Sequence, residues 1–180
     1  DYRVADAVVS NEFLNLEGDK ISTSRDYAVW VDEYLTAFPA DPLRYYLTAI
    51  APETADADFS WKQFQQRNNG ELADNLGNFI QRNLTFCKKY FDGKVPGIDA
   101  PTPAGLEVLK EMEATRQEMT ELLDDFHFKA ALDRLMRLSQ KGNQYFAEEE
   151  PWKSRKTDMA ACARTMHVGL KIVEALGVLM

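Results

Sequence analysis

Cysteine and histidine are almost absent: Cys87, Cys162, His127 and His167 are the whole supply in 180 residues. The cysteines sit far apart inside apolar helical patterns and read as reduced core residues of a cytoplasmic protein, with no disulfide or metal role. The histidines stand singly without ligand-like neighbours, so no metal site is expected. No apolar run approaches the roughly 20 residues that span a bilayer, and no basic-then-apolar leader opens the sequence. The chain starts at Asp1 and stops on the uncapped apolar run Val178-Leu179-Met180, which reads as a piece of a longer protein. An excess of positive charge is missing too. Net charge is −8, and residues 1–60 carry all of it, with 12 acids against 4 bases; residues 61–180 hold 17 of each. Sequence-independent binding of nucleic acid depends on neutralising phosphates, and this balance disfavours it. Reading unpaired bases by stacking and hydrogen bonding stays open. Bases cluster only at Lys88, Lys89 and Lys94, and again at Lys153, Arg155 and Lys156.

What the chain does have is helix. With 45% hydrophobic residues it can build a mainly α fold: an antiparallel helical bundle with a short N-terminal hairpin or loop and a helical connector. Residues 1–25 alone do not read as helix. There, Phe13 to Leu16, Glu17-Gly18-Asp19 and Lys20-Ile21-Ser22 predict a hairpin turning at Gly18. Helical spacing then runs from Ala28 to Phe38, and Asp41-Pro42 reads as N-cap and N1 of a helix over Leu43–Ala51. Pro52 to Phe59 reads as an acidic connector and a boundary, dividing a segment 1–59 from a bundle 60–180. Ser60 with Gln63 suggests a capping box opening one long helix that stops at Gly93. Beyond the Gly/Pro-rich loop 93–103, Thr102-Pro103 opens a helix to about 125 that buries Leu106, Leu109, Met112, Met119, Leu122 and Leu123. A further helix, Phe126 to about Glu149, turns Phe128, Ala131, Leu132, Leu135, Leu138 and Phe146 inward. After Pro151-Trp152, Thr157 or Asp158 caps the last helix.

Two features carry chemistry. Wound at about 100° per residue, the long helix puts Leu72, Leu76, Phe79, Ile80, Phe86, Cys87, Tyr90 and Phe91 on one side, with Asn75, Asn78 and Arg82 opposite. Asparagine competes with the backbone for hydrogen bonds and is a poor choice for a plain solvated face, so the stripe suits a hydrogen-bonding partner; on spacing alone a solvated face or a polar contact with a neighbouring helix is the more ordinary explanation. Trp152 follows the charged end Glu148-Glu149-Glu150 and a proline. It either plugs a gap between helix ends or offers a flat face on which a base could stack, worth about 1–3 kcal/mol. The hydroxyl-rich run Lys20 to Arg25 could wrap phosphates, or simply connect.

Four segments, in order, are similar to one family. Lys20-Ile21-Ser22-Thr23-Ser24 resembles the KMSKS signature loop of class I aminoacyl-tRNA synthetases, and Phe38 to Leu47 resembles the segment C-terminal to that loop in the same enzymes. Asn69 to Asn83 with Phe91-Asp92-Gly93, and Asn143 to Trp152, are similar to the anticodon domain of the methionyl-tRNA synthetase family. The resemblance implies that Trp152 stacks on the first anticodon base of methionine tRNA, a cytosine, while Asn78 and Arg82, and more weakly Asn75, hydrogen-bond it or its neighbours. It implies that Lys20, as the catalytic lysine, with Ser22, Thr23 and Ser24 closes over ATP with Mg2+ in the full-length enzyme, and that nothing is bound to this segment alone. Thr23 stands where the family usually has a second lysine; it donates a hydrogen bond but brings no charge, leaving Lys20, or Arg25 beside it, to supply that. Expected partners are the anticodon loop of methionine tRNA and an upstream catalytic domain, without a membrane. Other class I bundles and a non-catalytic protein-interaction domain are the alternatives; Pro151-Trp152 with Asn78 and Arg82 favours methionine. The chain alone is expected to make no methionyl-adenylate, and ATP–pyrophosphate exchange by a clean preparation checks this.

Overall fold

The computed structural model describes residues 3–180; Asp1 and Tyr2, the start of the front segment, lie outside the described residues. Strands β1 (Leu14–Leu16) and β2 (Asp19–Lys20) form the hairpin around Gly18, with Leu16 opposite Asp19. Glu17 and Gly18 both take positive φ, 50° and 84°, the turn whose twist suits paired strands. A third strand, β3 (Ala57–Phe59), runs parallel to β1 on its other edge. This corrects the reading of 52–59 as a plain connector. Its acids are used locally: Asp56 accepts the Phe13 N–H at 3.0 Å and Asp58 accepts the Gly18 N–H at 2.7 Å.

Helix α1 (Val31–Ala37) begins later than Ala28, because Trp30 is extended and its indole N–H is bonded to Asp26 at 2.9 Å. Helix α2 (Ala40–Ala49) has Pro39 at its N-cap, so Asp41 and Pro42 lie inside the first turn and do not cap it. A proline is tolerated there, since first-turn N–H groups have no intrahelical partner. Neighbouring side chains on α2 serve different cores. Tyr46 packs with Leu16, Tyr34, Leu43, Ile50 and Phe59 at the front, with Phe64 against them, whereas Tyr45 joins the bundle core.

The helix expected from Ser60 to the stop at Gly93 is continuous as far as Tyr90 but not uniform. It comprises α3 (Trp61–Arg67), a π-helical stretch Asn68–Gly77 and α4 (Asn78–Tyr90). In the wide stretch N–H groups reach five residues back, as from Asn78 to the Ala73 carbonyl, so a constant 100° winding misphases the two halves. The capping box at Ser60 does not form. The buried Tyr46 hydroxyl instead accepts the Ser60 N–H at 3.2 Å and is 3.3 Å from the Ser60 carbonyl.

The bundle is completed by α5 (Pro103–Asp124), α6 (Phe128–Glu149), the short α7 (Pro151–Ser154) and α8 (Met159–Leu179). Thr102 and Asp158 cap α5 and α8 through their side-chain oxygens. Leu106, Leu123 and Phe128, expected inside, are exposed: α5 turns Gly105, Val108, Thr115 and Met119 inward, and Phe128 sits at the α6 entrance beside left-handed Phe126. Both cysteines are free and buried, and burial raises both thiols above their ordinary range. Among the described residues no helix is long and apolar enough to cross a membrane.

Two glycines set how closely α4 approaches its neighbours. A Cβ on Gly142 would lie 2.6 Å from the Phe79 ring, and one on Gly169 would lie 2.2 Å from the Asn83 amide oxygen. Gly142→Ala should therefore cost on the order of 1–3 kcal/mol by overpacking. Gly177→Ala, where nothing lies within 4 Å, should be neutral or stabilise by up to about 1 kcal/mol. Urea midpoints of the two variants test the contrast.

Candidate nucleic-acid interface

At one end of the bundle the chain must turn sharply between α6 and α7. Glu150 takes a left-handed conformation (φ 44°, ψ 56°) and buried Pro151 opens α7. The turn sets the Trp152 indole against Phe146, with ring centroids 5.9 Å apart. Trp152 remains 36% exposed, so part of its ring is open to solvent. Arg82 reaches the same place from α4, its guanidinium carbon 4.7 Å from the Phe146 centroid and 5.7 Å from that of Trp152. Such cation–π contacts are worth about 0.5–2 kcal/mol and hold the side chain in one orientation. Among the described residues Arg82 has no carboxylate partner, so its donors stay available. Phe86 and Tyr90, ring centroids 4.5 Å apart, add a second aromatic wall. These groups, with Gln81, Thr85 and Lys89, line an open cavity of about 490 Å³. A flat aromatic face, a fixed fork of N–H donors and an opening to solvent suit a planar, polar ring.

The stripe expected along the long helix is split. Asn78 is exposed, one turn before Arg82 on α4. Asn75 faces α6 instead. Its amide N–H donates to the Met136 carbonyl at 3.1 Å, its amide oxygen accepts from Ser139 and Asn143, each at 3.1 Å, and its carbonyl accepts from Asn143 at 2.9 Å. Both acceptor positions of its amide oxygen and one of its two N–H donors are thereby committed to α6. The π-helical phase, which winding at a constant angle does not contain, is the reason. Sequence reasoning also missed Phe86, Tyr90 and Phe146 as walls, since apolar spacing marks them simply as core.

The hydroxyl-rich loop comes directly after the hairpin. Ser22 and Tyr27 exchange backbone hydrogen bonds at 2.9 Å, and the Tyr27 hydroxyl donates to the Leu16 carbonyl at 2.9 Å. This closes a small ring around a 3-10 turn at Thr23–Arg25. Ser22 and Ser24 hydroxyls lie 3.2 Å apart, and Arg25 donates to the Lys20 carbonyl at 3.3 Å. Lys20, Thr23, Ser24 and Arg25 are exposed, and among the described residues Lys20 has no acid partner. Two cations and two hydroxyls on an exposed turn fit a polyphosphate.

Residues 1–84 match the family model described as tRNA synthetases class I (M), and residues 95–180 match that of the anticodon binding domain of methionyl tRNA ligase. The sequence is 49% identical over 173 residues to a methionine--tRNA ligase of Pyrococcus horikoshii, covering 96% of this chain and 24% of that protein. To a methionine--tRNA ligase of Phocaeicola vulgatus it is 52% identical over 179 residues, covering 98% and 26%. A solved structure of Mycobacterium tuberculosis methionyl-tRNA synthetase in complex with methionyl-adenylate superposes with a TM-score of 0.88 at 28% identity, over 94% of this chain and 34% of that one. The chain thus spans about a quarter of the length of the curated relatives it matches. The hairpin, its loop and the bundle behind it are the architecture of a class I aminoacyl-tRNA synthetase segment. Within that class, the chain belongs to the methionyl-tRNA synthetase family.

The Asn143 amide supplies donors to both oxygens of Asn75. Asn143→Ala should strip them and cost about 1–3 kcal/mol, measured as a lower urea midpoint at unchanged slope.

Proposed function

We propose that this chain is the part of a methionine–tRNA ligase that reads the anticodon of methionine tRNA, with the adenylate-forming enzyme's mobile loop attached at its front. The observation carrying this reading is the convergence of a partly exposed Trp152 and the Arg82 guanidinium, 5.7 Å apart, on one open cavity. An unpaired cytosine stacks on the indole, and Arg82 donates to its carbonyl oxygen and ring nitrogen. Asn78, exposed one turn away, takes a neighbouring base; Asn75 has no part in the readout and pins α4 to α6. In the full-length enzyme Lys20 is the catalytic cation of the loop. With the Ser22, Thr23 and Ser24 hydroxyls it binds ATP phosphates and offsets the charge that develops on them as methionine attacks. Arg25, bonded to the Lys20 carbonyl, supplies the second positive charge that Thr23 lacks. ATP with Mg2+ and the upstream catalytic domain belong to that larger protein, which works in the cytoplasm. Residues 1–59 form its connecting segment and 60–180 the anticodon bundle.

Trp152→Ala should weaken binding of a methionine-anticodon stem-loop by about 5- to 150-fold, the equivalent of roughly 1–3 kcal/mol of stacking, while the thermal midpoint of the bundle barely moves. Equal wild-type affinity for a stem-loop with a changed first anticodon base would remove the base-reading claim. Loss of the folded bundle in the Ala variant would make the indole a structural plug.

A further inference from the structure

The base pocket has a neighbour that base readout leaves unused. Tyr90 ends α4 and walls the pocket, and two cations lie against its ring. The Lys89 ammonium is 5.3 Å from the ring centroid and the Arg155 guanidinium carbon 4.4 Å. These come from the two basic clusters of the sequence, more than sixty positions apart, which the α6–α7 turn brings together. Among the described residues neither cation has a carboxylate partner. The acids nearest Arg155 in sequence are already engaged: Glu150 pairs with Lys153 at 2.7 Å, while Asp158 caps α8 and lies 3.9 Å from Arg164. The Arg155 Nε is buried and has no hydrogen-bond partner. Two like charges held against one ring without an anion, one of them with an orphaned donor, make a site preorganised for an anion.

We propose that Lys89, Tyr90 and Arg155 form a phosphodiester-binding site beside the base pocket, which holds the RNA strand where it leaves the base stacked on Trp152. This rests on the base-reading function proposed above and adds a second, sequence-independent contact to it. Tyr90 aligns the cations. Arg155 offers a planar fork to two oxygens of one phosphate, and Lys89, a point charge at the pocket rim, takes the adjacent phosphate, so the strand makes two phosphate contacts. The site accounts for how an acidic chain grips a polyanion: it sets two cations without carboxylate partners where the strand passes.

The test is the salt dependence of stem-loop binding to the full chain. Each phosphate contact on a single strand contributes about 0.7 to the slope of log affinity against log salt. The Lys89→Gln/Arg155→Gln double variant should lower that slope by about 1.4 and weaken the cognate and base-changed stem-loops by the same factor. Lys89→Gln alone changes an exposed side chain and should lower the slope by about 0.7 even if the double variant is less stable. Trp152→Ala should do the opposite, weakening binding at an unchanged slope. Unaltered slopes in folded Lys89 and double variants, alongside intact discrimination, would overturn the phosphate site and leave base reading standing. Lowered slopes in those variants, when the wild type itself does not discriminate bases, would remove base reading and leave the phosphate site standing. A change in the cognate-to-variant ratio would make the two cations base readers and would also overturn the proposal.

Discussion

The wide helical stretch Asn68–Gly77 is the constraint on which the rest of the molecule depends. It is held from both sides. Toward the front, Glu71 accepts a short hydrogen bond from the Tyr45 hydroxyl and lies 3.4 Å from Arg67. Burial, and then the Glu71 carboxylate itself, raise the Tyr45 hydroxyl well above its ordinary range, so it stays a donor at any physiological pH. Toward the back, Asn75 is bound by three residues of α6. With both ends fixed, α4 leaves the stretch at one rotation only. That rotation puts Arg82, Phe86 and Lys89, spaced at helical intervals, on the cavity and sends Asn75 inward. The stretch also carries Gly77, where a Cβ would come within 2.9 Å of the Leu72 carbonyl oxygen. A side chain there would compete with the wide turn itself.

Much of the architecture was legible in the residues because it is written locally. A glycine between two short alternating runs gave the hairpin, Thr102 and Asp158 marked two helix starts, and spacing outlined the bundle. Strand β3 was not legible, since its three residues are defined by parallel pairing with β1 forty positions away and carry no strand pattern of their own. The π-helical phase was not legible either, because the same residues wind equally well as ordinary helix until Asn75 finds its partners. At the site, residue type set the stripe Asn75, Asn78 and Arg82 and the junction residue Trp152 apart, and the family resemblance supplied their roles. Residue type could not separate Asn78, which stays exposed, from Asn75, which is spent on packing. The aromatic walls were hidden for a related reason: an apolar residue at the rim of a pocket and one in the core look the same in sequence.

The two ends of the chain divide the electrostatic labour. The front segment holds the whole net negative charge yet spends several acids on backbone N–H groups, Asp56 and Asp58 on its own Phe13 and Gly18 and Glu17 on Trp61 at the start of α3. The bundle is neutral in sum, and three of its cations, Arg82, Lys89 and Arg155, lie against aromatic rings. Arg134, by contrast, is bound by Glu111 and Glu118 on the α5–α6 face. A guanidinium parked on aromatic rings remains available to a ligand, whereas one clasped by two carboxylates does not. The same residue type is thus left with open donors on α4 and made a staple on α6.

Asn83 has a different significance. Its side chain is fully buried at the α4–α8 crossing, one end bonded to the Phe79 carbonyl at 2.9 Å and the other nested over the bare backbone of Gly169. Amphipathic helices of similar composition can slide past one another by a turn, about 5.4 Å, with little loss of apolar contact. Here such a slip would drive an amide into a branched side chain. The notch acts as a tooth in a keyway, admitting a single alignment of the C-terminal helix and so fixing the length of the loop that α7 must close.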